Sequence, residues 1–206
     1  MRILRLADTT IEEAAQAAAQ VLRQGGLVVF PTDTLYGIAV DALNADAIAR
    51  VRELKGREKK KPVSVIMPSL AHMEQHVEMH PEATRLVEAH LPGALTLVLD
   101  ARPHIPDDIL LNGALGVRIP DDPFALALAH SFERPFTATS ANLAGQKTPV
   151  NAMDIIPHFG PRAQHIDLII DGGERAGGVP STVVTFINGV PYIIRHGALS
   201  KEQLGL

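Results

Sequence analysis

Cysteine is missing altogether from this 206-residue chain, and so is tryptophan. Without thiols there is no disulfide, no thiolate metal centre and no cysteine nucleophile, and what remains suits a reducing, cytoplasmic compartment. Aromatics are scarce, six Phe and two Tyr, which argues against stacking nucleic-acid bases on aromatic platforms. No apolar run approaches the roughly 20 residues of a membrane-crossing helix. Met1-Arg2-Ile3-Leu4 leads into polar Asp8-Thr9-Thr10 without the apolar centre of an export signal. The expectation is an unexported protein with no membrane partner. A formal net charge of −4 likewise excludes a protein that coats nucleic acid through overall positive charge.

What is present is enough apolar sequence for a substantial core. Hydrophobic residues make up 46% and charged residues 20%. With no low-complexity linker and no internal repeat, the chain reads as one globular domain over 1–206. Its charge is unevenly placed. From Arg50 to Lys61 stand seven cations (Arg50, Arg52, Lys55, Arg57, Lys59, Lys60, Lys61) against Glu53 and Glu58. One local basic surface is therefore expected, either a solvated helix end or part of a site.

Helix and strand signals alternate. Thr10-x-x-Glu13 is a capping box ahead of an Ala-rich helix that Gly25-Gly26 can stop. Leu27–Phe30 reads as a fully buried strand, and a helix runs from the Asn44 cap through Leu54 to Gly56. Residues 32 to 36 then form a strand-to-helix loop, and Lys55 and Arg57 flank a helix C-terminus. Further strands are predicted at 63–67, 95–99, 117–119, 136–138, 166–170 and 182–187, with helices at 71–79, 82–90, 123–132 and after Asn151. Asn188-Gly189 between two apolar runs is a strong hairpin signal, so the sheet must be mixed. The expected fold is α/β: one twisted mixed sheet with helices packed on it.

Three polar patches carry the chemistry: Pro31-Thr32-Asp33-Thr34-Leu35-Tyr36-Gly37, Lys55-Gly56-Arg57 and Thr139-Ser140-Ala141-Asn142. Each falls where an element is predicted to end, which is where α/β proteins gather binding groups. They offer cations, hydroxyls and amides but no evident nucleophile, so they suit holding and aligning an anion, phosphate first. Thr32 and Thr34 can grip an oxyanion or simply build a turn with Asp33. Lys55 and Arg57 combine a point charge with a bidentate fork, suited to a polyphosphate, or they only complement a helix dipole. Ser140 and Asn142, two apart in an extended segment, share a face. Arg118 interrupts an apolar strand and needs a partner, either a ligand anion or an acid such as Asp121 or Asp171. Arg195 leaves the hairpin just before Gly197 and can hold a phosphate or decorate an edge.

Two other signals carry less weight. His72, His76 and His80 are spaced i, i+4, i+8 on a predicted helix, but no acid or sulfur is arranged beside them, and no metal site is expected. The glycines 172, 173, 177 and 178 match no phosphate-binding fingerprint and read as a flexible loop over the site.

Six motifs in order resemble the YrdC/TsaC family across nearly the whole chain. They are the Pro31–Gly37 patch, Lys55-Gly56-Arg57 with Lys61-Pro62, Pro92-Gly93-Ala94-Leu95-Thr96, Gly116-Val117-Arg118-Ile119-Pro120, Thr139–Asn142 and Pro180-Ser181-Thr182. The resemblance implies a YrdC-like fold with a basic concave face. It also implies an L-threonylcarbamoyladenylate synthase, which makes threonylcarbamoyl-AMP and pyrophosphate from L-threonine, bicarbonate and ATP for threonylcarbamoyladenosine modification of tRNA. By the resemblance Lys55 and Arg57 are the catalytic cations, and Thr32, Arg118 and Ser181 meet threonine or its carbamate. Lys55, Arg57, Ser140, Asn142 and Arg195 surround the nucleotide, whose phosphates bring Mg2+. The product goes to tRNA or to the enzyme complex that transfers threonylcarbamoyl, and the protein is a monomer or homodimer. Ending at Leu206, the chain resembles the short, single-domain form, and it lacks the His that some longer members carry where Val65-Ile66-Met67 stands.

Two other readings compete. A noncatalytic double-stranded RNA or tRNA binder would use the basic face but have no use for Thr32 or Ser181. A carbamoyl-transfer relative acting on another amine would differ in the small pocket and keep the nucleotide site.

Overall fold

The capping box acts as its sequence predicts. In the computed structural model, which describes residues 1–56, 62–175 and 178–206, the Thr10 side chain accepts from the Glu13 amide while the Glu13 carboxylate accepts from the Thr10 amide. The helix α1 (Ile11–Arg23) follows a short strand β1 (Arg2–Arg5). The buried face of α1 is built from Ala14, Ala15, Ala18, Ala19 and Leu22. Such small side chains let it sit in one apolar cluster with α5 (Pro123–Phe132), whose Phe124, Leu128 and Phe132 fill the space beside Phe30 and Phe136.

Strand β2 (Val28–Pro31) is covered on both faces. Val28 and Phe30 belong to the cluster under α1, and Leu27 and Val29 to a second, larger one, as the period-2 alternation of a fully buried strand requires. After a tight turn the chain returns as β3 (Tyr36–Ala39), antiparallel to β2. The expected strand-to-helix loop is thus a hairpin. Gly37 allows it, because a Cβ there would meet the Phe30 ring at 3.0 Å. The helix α2 (Ala45–Lys55) starts at the Asn44 cap and ends on Gly56 at φ +62°, a left-handed conformation that favours glycine.

The remaining strands are β4 (Val65–Ile66), β5 (Leu95–Asp100), β6 (Ala114–Arg118), β7 (Phe136–Thr137), β8 (Thr139–Ser140), β9 (Leu168–Asp171), β10 (Thr182–Ile187) and β11 (Val190–Arg195). The helices α3 (Leu70–His76), α4 (Pro81–His90) and α6 (Ala152–Phe159) pack around them. The α/β class and the mixed strand directions hold, but the strands divide into two sheets where one was expected: β1-β9-β2-β3-β8 and β11-β10-β5-β6-β4-β7. The split falls at Ala138. Thr137 and Ser140 are near neighbours in sequence, yet β7 pairs with β4 in one sheet and β8 with β3 in the other. Asn188 (φ 51°) and Gly189 (φ 77°) make the β10–β11 turn with the paired positive φ values that the Asn-Gly signal predicts. Among the described residues no helix is long and apolar enough to cross a membrane.

The histidine spacing dissolves in the fold. Helix α3 stops at His76, and His80 instead caps α4 by accepting from the Ala83 amide, with its ring edge-on to Phe186. His72 bonds Ser69, and His76 Nδ1 lies 2.8 Å from His104 Nε2. Among the described residues no three His, Cys, Asp or Glu side chains gather as a metal site.

Burial, aided by the neighbouring charges of His104 and His72, pushes the His76 pKa down to about 4. A histidine depressed in the folded state takes up its proton in the unfolded chain first, so this contribution to stability is present above pH 6.5 and is lost as pH falls through about 4. Urea unfolding of His76→Gln is expected to show a smaller loss of midpoint between these pH values than the parent chain.

Candidate substrate cleft

Where the two sheets meet, a cleft of about 570 Å3 opens. Its walls come from the β2–β3 turn, the ends of β6, β8 and β11, and the segment entering β10. Thr32, Arg118, Ser140, Ser181 and Arg195 all line it. Five residues picked from separate stretches of sequence are therefore neighbours around one space. Lys55 and Asn142 stand behind Ser140, off the wall, and Arg57 lies outside the described residues, as do Lys59, Lys60 and Lys61 of the basic run.

Lys55 is 1% exposed. Its ammonium donates to the Ser140 carbonyl and, at 3.4 Å, to Asn142 Oδ1. The same Oδ1 accepts from the Ser140 hydroxyl and, at 3.3 Å, from Thr148, while Nδ2 donates to the carbonyls of Leu143 and Gln146 at 2.7 Å each. The Ala144 amide in turn donates to the Lys55 carbonyl at 3.0 Å. The end of α2, strand β8 and the turn after it are thereby one hydrogen-bonded unit, in which Lys55 and Asn142 position Ser140.

Thr32 is turned inward. Its hydroxyl donates to the Leu35 carbonyl at 2.7 Å and accepts from the amides of Thr34 and Leu35. It shapes the β2–β3 turn, and Asp33 at the turn's tip forms an ion pair with Arg118 at 3.2 Å. Asp33 is the partner of Arg118, not Asp121 or Asp171.

On the opposite wall Arg195 donates to the Ser181 carbonyl at 2.8 Å and to its hydroxyl at 3.1 Å. The Ser181 and Thr96 hydroxyls are 2.9 Å apart. Gly197 is required here, since a Cβ would run into the Pro180 carbonyl and the Ser181–Thr182 backbone. Burial, and then the charge of Arg118, lower the Arg195 pKa from its ordinary value. Two guanidiniums lining one cleft, near enough for Arg118 to affect Arg195, form a surface chemically suited to an anion.

Sequence reasoning missed three participants. In sequence Asp33 reads only as a turn former. Thr96 was quoted within a motif without a role. Tyr36, fully buried, donates to the Gly173 carbonyl at 2.7 Å and accepts from the Gly172 amide at 3.1 Å. The described part of the glycine-rich loop is thus fastened to the cleft, with Gly172 against Pro31 and Gly178 against Thr34. Ala176 and Gly177 lie outside the described residues. The signal for all three was position, because each lies within or beside a motif already singled out.

The profile of the Sua5/YciO/YrdC family, described as "Telomere recombination", matches residues 20–197. The chain belongs to this family. It is 37% identical over 200 residues to the threonylcarbamoyl-AMP synthase of Bacillus subtilis (strain 168), covering 96% of this chain and 57% of that protein. The crystal structure of P. abyssi Sua5 complexed with L-threonine superposes with a TM-score of 0.86 at 35% identity, over 98% of this chain and 59% of that one. E. coli YciO, at 24% identity and TM-score 0.82 over 94% of this chain and 93% of that chain, shares the fold. The chain thus spans less than two thirds of the length of the first two relatives.

The tether that fastens the glycine loop of this Sua5/YciO/YrdC chain rests on one phenol. Tyr36→Phe leaves the Gly173 carbonyl and Gly172 amide without that partner, and a loss of about 1–3 kcal/mol in chemical denaturation is expected. Hydrogen exchange at the Gly172 amide should quicken in the same variant.

Proposed function

We propose that the chain is a threonylcarbamoyl-AMP synthase. The observation that supports this most is the convergence of Arg118, Arg195, Ser140 and Ser181 on one cleft by way of four different strands and loops. A wall of cations and hydroxyls suits a reaction in which both reactants are anions and no enzyme-bound intermediate is needed. The names of the relatives point the same way.

In this reading the amine of L-threonine combines with bicarbonate, losing water, to give a carbamate. A carbamate oxygen then bonds to the α-phosphorus of ATP as the bond to the β-phosphate oxygen breaks and pyrophosphate leaves. Arg118 and Ser181 hold the carboxylate or carbamate, and the Thr32 turn closes that end. Ser140 and Arg195 face the nucleotide, with Arg57 as a further cation. Lys55 and Asn142 act through Ser140, fixing where its backbone and hydroxyl lie, so Lys55 is read as a positioning residue in place of a catalytic one. The described residues gather no metal cage of their own. Magnesium is assigned to the ATP phosphates as part of the substrate, because Mg2+ is commonly held by substrate phosphates and water. The product is passed to the enzyme complex that transfers threonylcarbamoyl to tRNA, in the cytoplasm, by a monomer or homodimer.

Pyrophosphate release from ATP by the purified chain tests this directly. Release that needs both L-threonine and bicarbonate is expected. Lys55→Ala should reduce it on the order of 100-fold through misplacement of Ser140. Release indifferent to threonine, together with salt-sensitive RNA binding, would instead favour the noncatalytic RNA binder.

A further inference from the structure

Among the described residues no acid lines the cleft, and Asp33, at the tip of the β2–β3 turn, meets it through Arg118. Both of its carboxylate oxygens reach the same Arg118 nitrogen, Nη2, at 3.2 and 3.3 Å. That is longer than the roughly 2.7–2.9 Å of a tight charge-assisted bond, and it is not the two-nitrogen fork that carboxylates prefer. Arg118 Nε is buried and has no hydrogen-bond partner among the described residues. The two side chains are 13% and 17% exposed, so neither is fully solvated. The pair is loose and incompletely satisfied, yet it sits where a ligand anion would have to bind.

A plain anion arriving at Arg118 comes to lie beside the Asp33 carboxylate, one negative charge against another. A molecule carrying a carboxylate and, on the neighbouring carbon, an ammonium faces no such penalty, because its carboxylate can take the Arg118 fork while its ammonium takes Asp33. We infer that Asp33 reads the charged amine, so that the cleft selects a zwitterionic α-amino acid over the corresponding hydroxy acid. This rests on the proposed reading that the cleft takes an amino acid, and it adds a specificity-determining residue to it. Once the amino acid is seated, its ammonium lies against a carboxylate able to receive the proton that carbamate formation releases. The Thr32 hydroxyl bonds, which do not involve the Asp33 side chain, keep the turn in shape when Asp33 is changed.

The test is a titration of the 15N-labelled full chain, followed by amide shifts at Arg118, Thr96 and Ser181. The ligands are L-threonine, L-serine and their 2-hydroxy counterparts, in which a hydroxyl replaces the amine. In the parent chain the amino acid is expected to bind roughly tenfold or more tightly than its hydroxy acid. In Asp33→Asn that gap should close from both sides, the amino acid binding more weakly and the hydroxy acid more tightly. Asp33→Ser, also compatible with a turn, should behave alike. An unchanged gap, equal weakening of both ligands, or a parent chain that binds no amino acid would overturn the inference. If L-serine binds and L-threonine does not, while the gap still closes in Asp33→Asn, the threonine reading falls and the role of Asp33 stands.

Discussion

The buried ammonium of Lys55 is the constraint on which the rest of the cleft depends. A cation taken out of water carries a penalty of several kcal/mol unless polar groups surround it, and here the Ser140 carbonyl and Asn142 amide oxygen do so. Meeting that demand draws the end of α2 against β8 and folds the 142–148 turn around the Asn142 side chain. The same contacts place Ser140 next to Gly37 in the first sheet. One electrostatic requirement thus fixes three segments that sequence alone leaves independent.

Opposing charges organise the other half. Burial, and then the charge of Arg118, weaken the preference of Arg195 for its charged form, and Ser181 and Asp33 each hold one of the two guanidiniums. The consequence is a cleft whose two cations are already held in place, as the proposed function requires of a preformed site. Preorganisation of this kind lowers the cost of binding.

Much of this was legible in the sequence, for physical reasons that differ by element. The capping box, the Asn188-Gly189 turn and the extent of α5 depend on local chemistry, and they appear where local chemistry puts them. Strand β1 escaped notice because Arg2–Arg5 is a short, largely exposed edge held by parallel pairing to β9, far away in sequence. Strand β3 was hidden by Gly37, a residue that weakens strand propensity but is needed for close approach to Phe30. The division into two sheets is a long-range property and has no local signal. At the cleft, Thr32, Arg118, Ser140, Ser181 and Arg195 were identifiable by residue type and position. The inward placement of Lys55 was not, since a lysine in a basic run looks like a surface group until its partners are seen.

The passage of the chain between sheets at Ala138 has a further consequence. Because β7 and β8 are two residues each and separated by a single residue, the distance between the two halves of the cleft is set by chain length and cannot be adjusted by sliding. Side chains in strands alternate faces, so an insertion or deletion of one residue at this point would turn Ser140 away from the cleft and take its neighbour Ala141 out of the larger apolar cluster. The crossing behaves as a ruler between the two walls of the cleft, and its length is what it holds constant.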